Sequence, residues 1–166
     1  MAGAYNRAWV GMLGEGAMIE WRPEMSVGHP DIDSDHKHLV EVINAFEAAA
    51  GREASEAVLG ATMLRLQDFV IDHFSREEAI QRAADYPLYD EHKREHDALV
   101  ERLTDFARTY FILRRRPVDR EVVAAFARFL REWVINHTLG ADLRMKGRLT
   151  PRKSRRASPA APPGGR

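Results

Sequence analysis

The stretch Ser55 to Ala84, SEAVLGATMLRLQDFVIDHFSREEAIQRAA, decides the reading of this chain. Leu59, Met63, Leu66 and Val70 recur at alternating steps of four and three, the spacing that lines one helix face and turns it toward a bundle interior. The next two positions of that series are His73 and Glu77. The stripe keeps its period but turns polar, so an imidazole and a carboxylate stand where apolar core is expected.

Three further segments flank this one at short spacing. A first helix is expected from about Ser34 to Ala50, capped by Asp31, Asp33 or Ser34, and ended by Gly51. Ser55 is a good cap for the second. The tetrapeptide Asp85-Tyr86-Pro87-Leu88 breaks the pattern, with Pro87 placed to start a third helix that reaches about Phe111. Arg114, Arg115, Arg116 and Pro117 form a basic loop, after which Asp119 caps a fourth helix to about Lys146. No useful strand-like alternation occurs, and short links between long helices favour antiparallel neighbours. The expected fold is all-α: an antiparallel up-down-up-down four-helix bundle.

Each of the other helices also carries imidazole on its apolar stripe. The first offers His36, Leu39, Ile43 and Phe46, and the third His92 and His96 before Leu99, Leu103, Phe106 and Tyr110. The fourth offers Phe126, Leu130, Trp133 and His137. In an antiparallel bundle the starts of odd helices meet the ends of even ones, so all these polar side chains fall in one layer. A lone buried histidine is usually a hydrogen-bonded core residue. Five converging with a carboxylate would each cost about 1–3 kcal/mol unless satisfied, and a metal satisfies them together. Asp142 follows His137 by five residues, which in an ideal helix rotates it about 140° away. A locally widened turn, which Gly140 would tolerate, is needed to bring it inward. His29 and His38, off these stripes, are expected to be solvated.

Composition narrows the chemistry. The 166 residues suit one domain, and zero cysteines exclude disulfides, thiolate zinc sites and cysteine-held clusters, leaving nitrogen and oxygen as metal donors. The formal charge is zero, but Lys146, Arg148, Arg152, Lys153, Arg155, Arg156 and Arg166 gather at the C-terminus, so residues 1–145 carry 18 basic and 25 acidic side chains. Nothing in that balance requires nucleic acid, and no apolar run suffices for membrane insertion. A mobile extension is expected over residues 1–17, a domain over 18–146 and a disordered basic tail over 147–166. Met18 is an alternative start, and the tail has at most a weak acidic partner. A cytoplasmic monomer is expected.

These residues resemble the hemerythrin family in its bacterial single-domain form. The resemblance rests on Trp21, Gly28 through Leu39 (GHPDIDSDHKHL), HFSREE at 73–78, YPLYDEHKREHD at 86–97, and His137 to Asp142, and spans about residues 18–146. It implies an oxygen-bridged pair of non-haem iron ions with O2 as ligand. His92, His96 and His137 would hold one iron, His36 and His73 the other, and Glu77 and Asp142 would bridge them. That count leaves one open position, on the iron with two histidines, for reversible O2 binding. Leu39, Trp133 and Val134 match the family's apolar pocket around bound oxygen. The implied role is an oxygen carrier, store or delivery protein, not an enzyme. The alternatives are an oxygen or redox sensor acting through a partner and a di-iron peroxidase or oxidase. Paired Glu-x-x-His motifs of ferritin-like oxidases are absent. Zinc also suits imidazole, but seven ligands are too many for one tetrahedral ion.

Overall fold

The computed structural model describes residues 18–52 and 55–150. Four helices dominate: α1 (Pro30–Gly51), α2 (Glu56–Ala83), α3 (Tyr89–Ala107) and α4 (Arg120–Asn136). They run up, down, up and down, with α1 packed between α2 and α4, and α2 between α1 and α3. Among the described residues there is no strand, and no helix is long and apolar enough to cross a membrane.

Local chemistry sets the boundaries. α1 starts four residues ahead of the expected Ser34, because Pro30 occupies the first turn, where its missing N–H costs nothing, after an extended His29. Asp33, a candidate cap, instead accepts from Ser26 Oγ at 2.6 Å and Val27 N–H at 2.9 Å, folding the preceding loop onto the helix start. Ser55 and Asp119 cap α2 and α4 by accepting from Val58 and Val122 N–H. Pro87 does not open α3. Asp85 takes a left-handed φ of 48°, and the helix begins only at Tyr89.

Neither α3 nor α4 ends as a plain α-helix. Arg108–Ile112 continues α3 as a π-turn, and Leu113 N–H reaches Arg108 C=O at 2.9 Å. There the Phe111 ring lies 3.0 Å from where a Cβ on Gly60 would stand, so a larger residue at that crossing would make the ring shift by a few tenths of an ångström. After Asn136 the chain widens into a second π-turn, His137–Ala141, then tightens into a 3-10 turn, Asp142–Met145.

The stripes read from the sequence face inward over most of their length: Leu39, Ile43, Phe46, Leu59, Met63, Leu66, Val70, Leu99, Leu103, Phe126 and Leu130 are all buried, while Phe106, Tyr110 and Trp133 are only partly so. Between α3 and α4, Phe106 stacks on Phe126 with ring centroids 3.6 Å apart. A smaller cluster of Val27, Ile32, Ala84, Tyr86, Met145 and Leu149 closes the opposite end. A layer of polar side chains separates the two. The expected extension over 1–17 lies outside the described residues, as does the expected tail beyond residue 150.

Candidate metal centre

His36 projects from α1, His73 and Glu77 from α2, and His92 and His96 from α3. His137 and Asp142 come from the turns that follow α4. All seven are buried, the two carboxylates completely. Their donor atoms group into His92, His96 and His137 on one side and His36, His73 and Glu77 on the other, with Glu77, His92 and Asp142 between. The donors within each group lie no more than 4.8 Å apart, close enough to share one cation.

The carboxylates divide their oxygens between the two sides. Glu77 Oε1 is 2.7 Å from His92 Nε2 and 3.4 Å from His96 Nε2, while Oε2 is 3.5 Å from His73 Nε2 and 3.8 Å from His36 Nε2. Asp142 does the same: Oδ1 is 3.1 Å from His137 Nε2 and 3.2 Å from His92 Nε2, and Oδ2 is 3.2 Å from His36 Nε2. Each carboxylate thus straddles the imidazole groups.

In the metal-free chain these contacts set the protonation states. Burial disfavours the charged imidazole of His36, but Asp142 and Glu77 outweigh it and push the group up to about 10; the same opposition raises His92 to about 9. Burial lowers His96 to about 2, with His137 and His92 adding to the fall against Glu77. Burial and the like charge of Asp142 act to raise Glu77, yet His36 and His92 lead the influences that bring it to about 2. Asp142, although fully buried, is held well below the ordinary carboxylate range by His137, His36 and His92.

Even so, among the described residues His36 Nε2, His92 Nε2, Glu77 Oε2 and both oxygens of Asp142 lack an aligned hydrogen-bond partner. Buried donors crowded together in poor alignment are costly to keep without a further partner. The unpaired atoms are inward-facing nitrogen and oxygen donors in two adjoining sets, so the residues fit a pair of cations. One tetrahedral ion would leave donors unused.

Supporting residues surround this layer. Gln81 donates to Glu77 Oε1 at 2.8 Å, and Phe74 stacks on His96 at 3.6 Å between centroids. Trp21 lies 6.1 Å from His36, on a segment held where Asn44 exchanges two 2.8 Å hydrogen bonds with the Ile19 backbone. Of the expected pocket residues, Leu39 and Val134 are buried in the main core. Trp133, partly exposed, stacks on His137 at 4.5 Å. His38 is exposed as expected. His29 is half-buried, with Nδ1 shielded from solvent. Gln81 and Phe74 were not singled out in the sequence. Phe74 lies within the HFSREE stretch, and Gln81 stands one turn beyond Glu77, which is the only signal either carries.

A four-helix bundle that closes two adjoining histidine-carboxylate sets defines a metal-binding helical protein. Residues 27–149 match the hemerythrin HHE cation binding domain, and the chain belongs to the hemerythrin family. It is similar to a bacteriohemerythrin of Stenotrophomonas maltophilia (24% identical over 126 residues, 76% of this chain and 78% of the relative). A hemerythrin-like protein of Naegleria gruberi is 28% identical over 131 residues, 79% of this chain and 93% of the relative. The crystal structure of wild-type hemerythrin superposes with a TM-score of 0.71 at 25% identity, covering 80% of this chain and 98% of that one. The family's general chemistry is oxygen binding at a non-haem di-iron centre.

Proposed function

We propose that this protein binds O2 reversibly as a carrier or store. In this reading His92, His96 and His137 hold one iron, His36 and His73 hold the second, and Glu77 and Asp142 bridge the pair. The observation that carries it is the division of each carboxylate, one oxygen toward each imidazole group. Two such carboxylates offset half of the four positive charges that two ferrous ions would bring into the interior.

When bound, the di-iron centre supplies the electrons and the open coordination position that reversible O2 binding requires. The chain's own contribution is positioning and exclusion. Three helices and the turns that follow the fourth hold the donors in one layer. The five imidazoles are at most 4% exposed, an enclosure that admits a small apolar gas far more readily than an organic substrate. That enclosure favours binding over catalysis on larger molecules. Leu39, Val134 and Trp133, with Phe74 against His96, form the apolar wall that keeps water and acids from the bound gas in this reading. A cytoplasmic setting belongs to the same proposal.

The test is anaerobic loading with ferrous iron, counting iron per chain and following the visible spectrum through cycles of air and its removal. Two irons and a band that rises and falls reversibly are expected. Immediate irreversible oxidation would favour an oxidase or peroxidase instead. His73→Ala and Glu77→Ala should each empty at least one position; two irons in both variants would sink the ligand set.

A further inference from the structure

We infer that Asp35, Glu78 and Glu95 are positioning residues that each orient a metal-ligating imidazole on the next helix; this rests on the ligand set proposed above. The outer nitrogens carry the argument. His73 Nδ1 is 3.2 Å from Asp35 Oδ2, His96 Nδ1 is 3.2 Å from Glu78 Oε1, and His137 Nδ1 is 3.1 Å from Glu95 Oε2. Each carboxylate accepts from Nδ1–H, fixing the tautomer in which Nε2 presents its lone pair inward.

The three pairs follow one rule. Asp35 precedes His36 on α1 but serves His73 on α2. Glu78 follows Glu77 on α2 but serves His96 on α3, and Glu95 precedes His96 on α3 but serves His137 after α4. One residue along a helix is about 100° of rotation. A side chain beside an inward donor therefore lies at the seam with the adjacent helix, where it reaches the back of that helix's imidazole. Behind each carboxylate stands a cation: Arg76 on Asp35 at 2.8 Å, Arg82 and Lys93 on Glu78 at 3.8 Å, and Arg144 on Glu95 at 3.5 Å.

His36 and His92 break the rule, since their Nδ1 atoms have no partner among the described residues. They are also the two imidazoles that contact both Glu77 and Asp142. His36 and His92 meet both bridging carboxylates on their inner side, whereas His73, His96 and His137 each meet one of them there and a positioning carboxylate behind.

Because each brace serves one metal position, the effects should be separable. Cobalt(II) titrations against a competing chelator, followed by the cobalt absorption spectrum, would be run on the full chain and on Asp35→Ala and Glu78→Ala. Asp35→Ala should weaken the position held by His36 and His73 about tenfold to a hundredfold and spare the other; Glu78→Ala should do the reverse. Asp35→Asn, which keeps an acceptor but loses the charge, should fall between. Melting of the metal-free variants checks that the fold is intact. If the unsubstituted chain takes two cobalt ions and both variants bind within twofold of it, the positioning role is overturned while the ligand set stands. Equal weakening at both positions, in step with a lowered metal-free melting temperature, overturns it as well. A chain that takes no cobalt overturns the ligand set itself.

Discussion

His137 Nε2 stands 3.1 Å from Asp142 Oδ1, although five residues separate them along the chain. The turn between them explains the meeting. Asp142 N–H bonds to His137 C=O, the i to i+5 link of a π-turn, which stacks residues five apart where an α-helix would splay them. Donors from the π-turn and from the 3-10 turn that follows it thereby reach both sides of the centre.

Removing one residue from this turn should misplace Asp142. Deletion of Gly140 converts the five-residue link into a four-residue one and swings the carboxylate by about 100°. Iron or cobalt stoichiometry is then expected to fall by at least one per chain. Gly140→Ala makes the opposite point. The glycine is not in the left-handed region, and among the described residues a Cβ there meets nothing within 4 Å, so the widened turn does not depend on it. Alanine should leave stoichiometry unchanged and add about 0.4–1 kcal/mol, a rise of roughly 1–4 °C in melting temperature. A full metal complement in the deletion would refute the role given to the turn.

This turn also marks where the sequence stopped being legible. His36, His73, Glu77, His92, His96 and His137 were readable because each continues an apolar stripe at helical period, so one rule finds both core and ligands. Asp142 breaks that period and was tied to the set only through a resemblance. The start of α1 was misplaced for a related reason. Asp33 was one candidate cap, but its bonds to Ser26 and Val27 show it closing the preceding loop, while Pro30 opens the helix. Asp35, Glu78 and Glu95 look like ordinary solvent-facing acids. Helical period tells which face a side chain occupies but not which neighbour lies across the seam.

Metal uptake should release protons. With pKa values raised to about 10 and about 9, His36 and His92 both carry a proton near neutral pH when the chain is metal-free. A metal takes only the neutral imidazole, so loading must expel those two protons. Raising the pH removes the competitor: affinity should climb from neutral pH toward 9–10 and level off above. Calorimetric titration in buffers of differing ionisation enthalpy counts the protons directly. A count near zero at neutral pH would contradict the arrangement of His36 and His92 against the carboxylates.

Asn44→Ala should loosen the cover over His36. The side chain holds the Ile19 backbone through two hydrogen bonds, each contributing about 0.5–1.5 kcal/mol, and the same segment carries Trp21 toward His36. Amide exchange is expected to accelerate over residues 18–27 while the middle of α2 keeps its protection. Unchanged exchange in that segment would mean that Trp21 is held by something other than Asn44.

Stability and metal binding should separate when a core residue and a donor are compared. Phe46 is fully buried on α1, ten residues and about 15 Å of helix axis beyond His36. Phe46→Ala should cost about 3–5 kcal/mol and lower the melting temperature substantially, yet leave every donor in place. Metal at a hundredfold excess over its dissociation constant adds about 2.7 kcal/mol to any fold that still binds it. The Phe46→Ala protein should therefore regain melting temperature on metal addition, as the unsubstituted chain does. Glu77→Ala should lose stability too, since four imidazoles contact that carboxylate, but little of it should return with metal. Equal recovery in both variants would show that Glu77 is a core residue only, and that the metal is held without it.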